Sequence, residues 1–204
     1  MAITVRAARP GDPAAELLYE SAAAYYEAFA GEAARARSLL AAVYPEDGHS
    51  ASYAVCLVAE EDGDLAGVLA AFAAADAGTY ARRFVSLSAR RLPLPAWAGM
   101  IRHLRAAARV SPTPPAGSWY VDALAVSPGY RRRGVARTLL AAAEQDARRV
   151  GAPVLALDTG FENTAAQALY AGAGFVQRSE SPAPDAPTAA ALGGRGFVSY
   201  AKAL

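Results

Sequence analysis

The chain has 204 residues, with 20 Lys and Arg against 19 Asp and Glu for a net charge of +1, and 54% of it is apolar, alanine above all. Near-neutral charge gives no global pull towards nucleic acid, and no stretch is long and charge-free enough to read as a membrane span. The lone Cys56 cannot form an internal disulfide, and the start MAITVRAARPGD lacks the order of a signal peptide, so the expectation is one cytoplasmic domain over residues 1–204.

In chain order, ITVRAA (3–8) is a short β-rich run that RPGDP ends, setting Asp12 as a helix cap ahead of Pro13. Residues 13–44 are helix formers with apolar Leu17, Leu18, Tyr25, Phe29, Leu39, Leu40 and Val43, and Gly31 predicts a break into two helices. SYAVCLVAE and LAGVLAAFAA flank EDGD, which predicts a β-hairpin with Gly63 in its turn. Cys56, inside the first of these runs, reads as an inert core thiol. From about 77 to 110 the pattern is helical and arginine-rich, divided in two by RLPLP, and it reads as an insert with a solvated basic face. After the linker SPTPPAG come the strand SWYVDALAV, the helix GVARTLLAAAEQDARRVG, the strand PVLALDT and the helix NTAAQALYAGAG with Asn163 at its cap. FVQRS and GFVSYAK close the chain as two strands joined by a loop rich in Pro, Ala and Gly. Strand, helix, strand, helix over 119–174 predicts a parallel pair with a right-handed crossover inside a mixed sheet.

The stretch SPGYRRRGVARTLL (127–140) carries the chemistry. A helix that starts directly after a strand offers unpaired backbone NH groups and the positive end of its dipole, where anions bind. Gly134 removes a side chain where a phosphate would approach the backbone, Ala136 keeps the next position small, and Arg131, Arg132 and Arg133 add forked donors. Taken alone, the run reads equally well as a solvated basic face. It lacks the GxxxxGK[ST] spacing of nucleotide-triphosphate loops and the GxGxxG of dinucleotide folds.

VDALAVSPGYRRRGVARTLL followed by VLALDTGFENTAAQALYAGAGF resembles the GCN5-related N-acetyltransferase (GNAT) superfamily over roughly 119–178. The resemblance implies an α/β (α+β) fold, with a mixed, mostly antiparallel central sheet, a parallel pair splayed at the cofactor site and helices on both faces. It implies acetyl-coenzyme A as cosubstrate, with Arg131, Gly134 and Ala136 in the pyrophosphate loop beside Arg132, Arg133, Val135 and Arg137. It implies that Leu124, Ala125 and Val126 pair their backbone with the pantetheine arm, and that Asn163 reaches the same neighbourhood. Tyr170 matches the family's general acid. The general base is left between Asp158, where the family's protein N-terminal acetyltransferases carry a glutamate, and Asp122, which the period of two places on one face with Tyr120, Leu124 and Val126. Histone-type members carry a glutamate at the place of Tyr120, and this chain departs from them.

The function implied is acetyl transfer to a primary amine of a small molecule or peptide by direct attack. The alternative is a non-catalytic acyl-coenzyme A sensor or interaction module on the same fold. Nucleic acid is not an expected partner, no membrane partner is expected, and homodimers are common in this family. His49 and His103 lack metal-ligand spacing, so no metal is expected. The acceptor is expected among the N-terminal helices, the insert and the loop 179–195, where Glu20, Tyr25, Tyr26, Glu27 and Phe29 are available.

Overall fold

The structure, a computed structural model, describes residues 3–204. Seven strands form one sheet: β1 (Ile3–Ala7), β2 (Cys56–Glu61), β3 (Asp64–Ala73), β4 (Trp119–Val126), β5 (Val154–Gly160), β6 (Val176–Pro182) and β7 (Gly196–Ala203). Their order is β1-β2-β3-β4-β5-β7-β6, and every neighbouring pair is antiparallel except β4 and β5. The predicted hairpin joins β2 to β3 through Asp62 and Gly63, whose φ angles of 54° and 90° are those a two-residue primed turn requires.

Alternate residues of β3 feed two cores. Val68 and Ala70 join the cluster made with helices α1 (Ala15–Ser21), α2 (Ala23–Ala30) and α3 (Ala33–Val43), while Leu69 and Ala71 join the cluster with α6 (Val135–Arg149). Helices therefore cover both faces. The segment predicted as an arginine-rich insert forms α4 (Ala77–Arg91) and α5 (Trp97–Val110), divided by a short 3-10 turn at Leu94–Ala96. No helix among the described residues is long and apolar enough to cross a membrane.

The feature that makes room for chemistry is in β4. Ala70 pairs with Ala123 and Ala71 with Val121, so Asp122 is an extra residue with no partner on β3, a β-bulge. A bulge bends its strand, and beyond Val121 the parallel pairing stops: only Trp119, Tyr120 and Val121 face Leu155, Ala156 and Leu157 of β5. A wedge opens there. The bulge also shifts the alternation, so Val121, Leu124 and Val126 pack on the α6 side while Ala123 and Ala125 pack on the other. The expectation that Tyr120, Asp122, Leu124 and Val126 share a face is thus corrected, because a strict period of two holds only through unbroken pairing.

Three further expectations change. Residues 13–44 form three helices, because the backbone turns at Ala22 (φ −152°, ψ 50°) as well as at left-handed Gly31. Asp12 does not cap α1, which begins at Ala15 without a side-chain cap; Asp12 instead accepts a two-pronged pair from Arg6 at 2.7 and 2.9 Å. The loop between β6 and β7 holds a helix, α8 (Ala186–Leu192), whose first turn Asp185 caps by accepting from the Thr188 NH at 2.7 Å. Cys56 is buried, and burial lifts its thiol well above the ordinary range, as an inert core residue requires.

Candidate active site

The wedge between β4 and β5 widens into a cavity of about 700 Å³, closed on its other sides by α2, the segment before β4 and the residues leading into β7. Asp158 enters from β5, and Tyr120, anchored one strand away by its pairing with Ala156, donates its hydroxyl to Asp158 Oδ2 at 2.6 Å. Asp122 enters from the bulge. It meets cavity solvent but is walled round by protein, which, together with the Asp158 charge, pushes its carboxyl up to about 7. Burial pushes Asp158 up to about 6 against the opposing hydrogen bond from Tyr120. Both carboxyls therefore exchange protons near neutral pH, the range in which a general base works best.

Tyr170 comes from α7 (Thr164–Gly172), whose first turn Asn163 caps by accepting from the Ala166 NH at 3.1 Å. It is 6% exposed, packs 5.9 Å from the Phe175 ring and 5.8 Å from the Tyr200 ring, and has no hydrogen-bond partner among the described residues. Burial first, then the Asp158 charge, raises its phenol above the ordinary value, so it stays protonated and can only donate a proton at neutral pH.

At the far end of β4 lies the arginine run. Gly134 stands at φ 89° with nothing within 4 Å of where a Cβ would point, and α6 begins behind it with no side-chain cap. No side chain among the described residues caps the amides of the first turn of α6. Open backbone NH groups at a helix start, with cations nearby, can hold a phosphate-bearing group.

A family model described as the Acetyltransferase (GNAT) family matches residues 15–175. The chain belongs to the GNAT acetyltransferase family. Its enzyme class is that of the N-acetyltransferases. Among solved structures, an acetyltransferase is 20% identical over 98% of each chain with a TM-score of 0.70. An N-acetyltransferase from Staphylococcus aureus Mu50 is 17% identical over 97% of this chain and 99% of that one, with a TM-score of 0.72. At these identities the likeness shows the fold. A search of curated proteins found no match.

In this acetyltransferase the candidate residues divide by place. Asp122, Leu124, Asp158, Asn163 and Tyr170 line the cavity; Ala125 and Val126 continue along β4, and residues 131–137 lie outside its lining. The three arginines are unequal. Arg131 donates from Nε to the Val126 carbonyl at 3.1 Å and has Glu20 at 3.6 Å, while Arg132 stands in the left-handed region at φ 61° without an ion pair among the described residues. Arg133 turns to Glu61 at 2.9 Å and lies 5.5 Å from the Tyr130 ring centre. Val135 is 1% exposed and points into the core, so only its backbone faces the loop. Arg137 reaches towards Gly172 at the end of α7.

Of the expected acceptor residues, Tyr25 and Tyr26 line the cavity. Glu27 accepts from the Tyr19 hydroxyl, and Phe29 is core. His49 and His103 are buried, bonded to the Val43 and Ala191 carbonyls, and no His, Cys, Asp or Glu group among the described residues could hold a metal. Sequence reasoning placed Tyr120 on a face with Asp122 and noted its departure from the histone-type pattern, but missed its bond to Asp158. The parallel register was the signal: Ala156 pairs with Tyr120, and Asp158 lies two residues further on. Phe72, Glu162 and Phe197 were also missed, since they reach the cavity from β3, the turn after β5 and β7.

Proposed function

We propose that the chain transfers an acetyl group from acetyl-coenzyme A to a primary amine of a small molecule or peptide by direct attack, with Asp158 as base and Tyr170 as acid. The observation that carries this reading is the meeting, in one cavity beside an unpaired strand edge, of carboxylates poised near neutrality and a protonated phenol. The residues present fit the cosubstrate. The β4 edge beyond Val121 has backbone groups free to pair with an extended arm, and the α6 start with Gly134 and Arg132 suits a pyrophosphate. A backbone NH preorganised towards the developing oxyanion supplies part of the rate.

An ammonium acceptor gives one proton to the Asp158 carboxylate, and the neutral nitrogen forms a bond to the thioester carbon. The carbon–sulfur bond breaks, the thiolate takes the Tyr170 proton, and the surplus proton on the new amide nitrogen restores the phenol. Cys56, buried in the sheet, has no part in this. Free-thiol release from acetyl-coenzyme A across polyamines, aminoglycosides, amino acids and peptides tests the reading. Thiol release that depends on an amine supports it; coenzyme binding without release on any amine supports the sensor instead.

A further inference from the structure

Transfer to one amine needs one base, yet two carboxylates enter the cavity. Asp158 has Tyr120 as a partner, whereas Asp122, at the bulge, has neither a hydrogen bond nor a counter-ion among the described residues. Glu162, also in the lining, has its charge met by Arg195 at 2.7 Å. In a chain with 20 Lys and Arg, no Lys, Arg or His among the described residues lines the cavity. The walls are aromatic instead: Tyr25, Tyr26, Phe72, Tyr120 and Phe197. Ring faces attract cations and cover methylene groups, and they offer nothing to an anion. The Tyr170 hydroxyl, on a side chain 6% exposed, borders the same space without a partner.

Two carboxylates that line one cavity with no cation beside them favour a ligand that brings one. We infer, resting on the transfer reading above, that the acceptor is a diamine: one amino group is acetylated between Asp158 and Tyr170, and the second, as an ammonium, is held by Asp122 against the tyrosine faces. The second amine stays protonated and takes no part in bond making. Replacing it by a methyl group removes the anchor. Replacing it by a carboxylate places like charges together with no cation in the lining to offset them.

The test uses the full chain with acetyl-coenzyme A, comparing diaminobutane and diaminohexane with butylamine, hexylamine and the ω-amino acids of the same lengths. The expected kcat/KM favours one of the diamines over its monoamine by about tenfold or more, with the amino acids below the monoamines. Asp122→Asn brings the diamine-to-monoamine ratio towards one. Should that variant not fold, calorimetric titration of the same compounds into the wild-type chain with coenzyme A decides the matter, the diamine binding most tightly. Monoamines equal to diamines, or amino acids better than monoamines, overturn the diamine assignment and leave acetyl transfer standing. Tighter diamine binding with no thiol release on any amine supports the Asp122 anchor and contradicts the transfer reading.

Discussion

At Tyr170 the structure and the proposed chemistry meet in a single proton. A buried phenol held neutral can give its proton to a departing thiolate, and phenylalanine keeps the packing against Phe175 and Tyr200 while removing that proton. Tyr170→Phe is therefore expected to lower kcat by roughly two to four powers of ten with little change in coenzyme A affinity, read by thiol release beside calorimetry. The carboxylates give a pH dependence with a defined sign. The base must be ionised, so with a monoamine acceptor kcat/KM rises with pH through about 6, where Asp158 loses its proton, and then levels off. Asp158→Asn is expected to abolish that limb together with most of the turnover.

The same shifts bear on stability. Both folded values lie above the ordinary aspartate value of 3.8, so the folded state holds protons that the unfolded chain has released. The stabilisation is fully present below about pH 4 and is lost as pH rises through the folded values. Asp122→Asn is accordingly expected to raise Tm at about pH 8 more than at about pH 5, followed by calorimetry. The resemblance to the GNAT family, with the period of two for Asp122, had singled out Tyr170 and the two aspartates, and all three line one cavity. The bond from Tyr120 to Asp158 was not legible in the sequence, because it depends on where one strand starts against its parallel neighbour.

Between elements, the β2–β3 hairpin clamps the arginine loop. Glu61 is 4% exposed and meets Arg133 at 2.9 Å, and Asp64 accepts from the Tyr130 hydroxyl at 3.0 Å. Arg133, expected among the cosubstrate's ligands, thus has its guanidinium directed to a carboxylate of the hairpin. Glu61→Gln is expected to raise KM for acetyl-coenzyme A by roughly tenfold and to leave kcat nearly unchanged, in steady-state thiol-release assays. Elements were read well where pattern and punctuation agree, as in the EDGD hairpin and the helices on either side of RLPLP. They were misread where tertiary contacts decide. Alanine-rich sequence carries no mark of the turn at Ala22, a bulge at Asp122 leaves the apolar pattern of β4 intact, and PDAPTAAALGG reads as a loop until Asp185 caps it.

For the whole molecule, the mixed sheet with its parallel pair was legible from the order of elements, while the cavity was not. The lining comes from segments far apart in sequence, from α2 to β7, so its acidic and aromatic character emerges only after folding. A nearly neutral chain thereby encloses a cavity whose described lining carries carboxylates and no cation. Thiol release from acetyl-coenzyme A, measured with and without amines, separates acetyl transfer from coenzyme binding alone. Release is expected to require a primary amine and to be strongest with cationic acceptors. Coenzyme A binding with no amine-dependent release across the whole panel would contradict acetyl transfer.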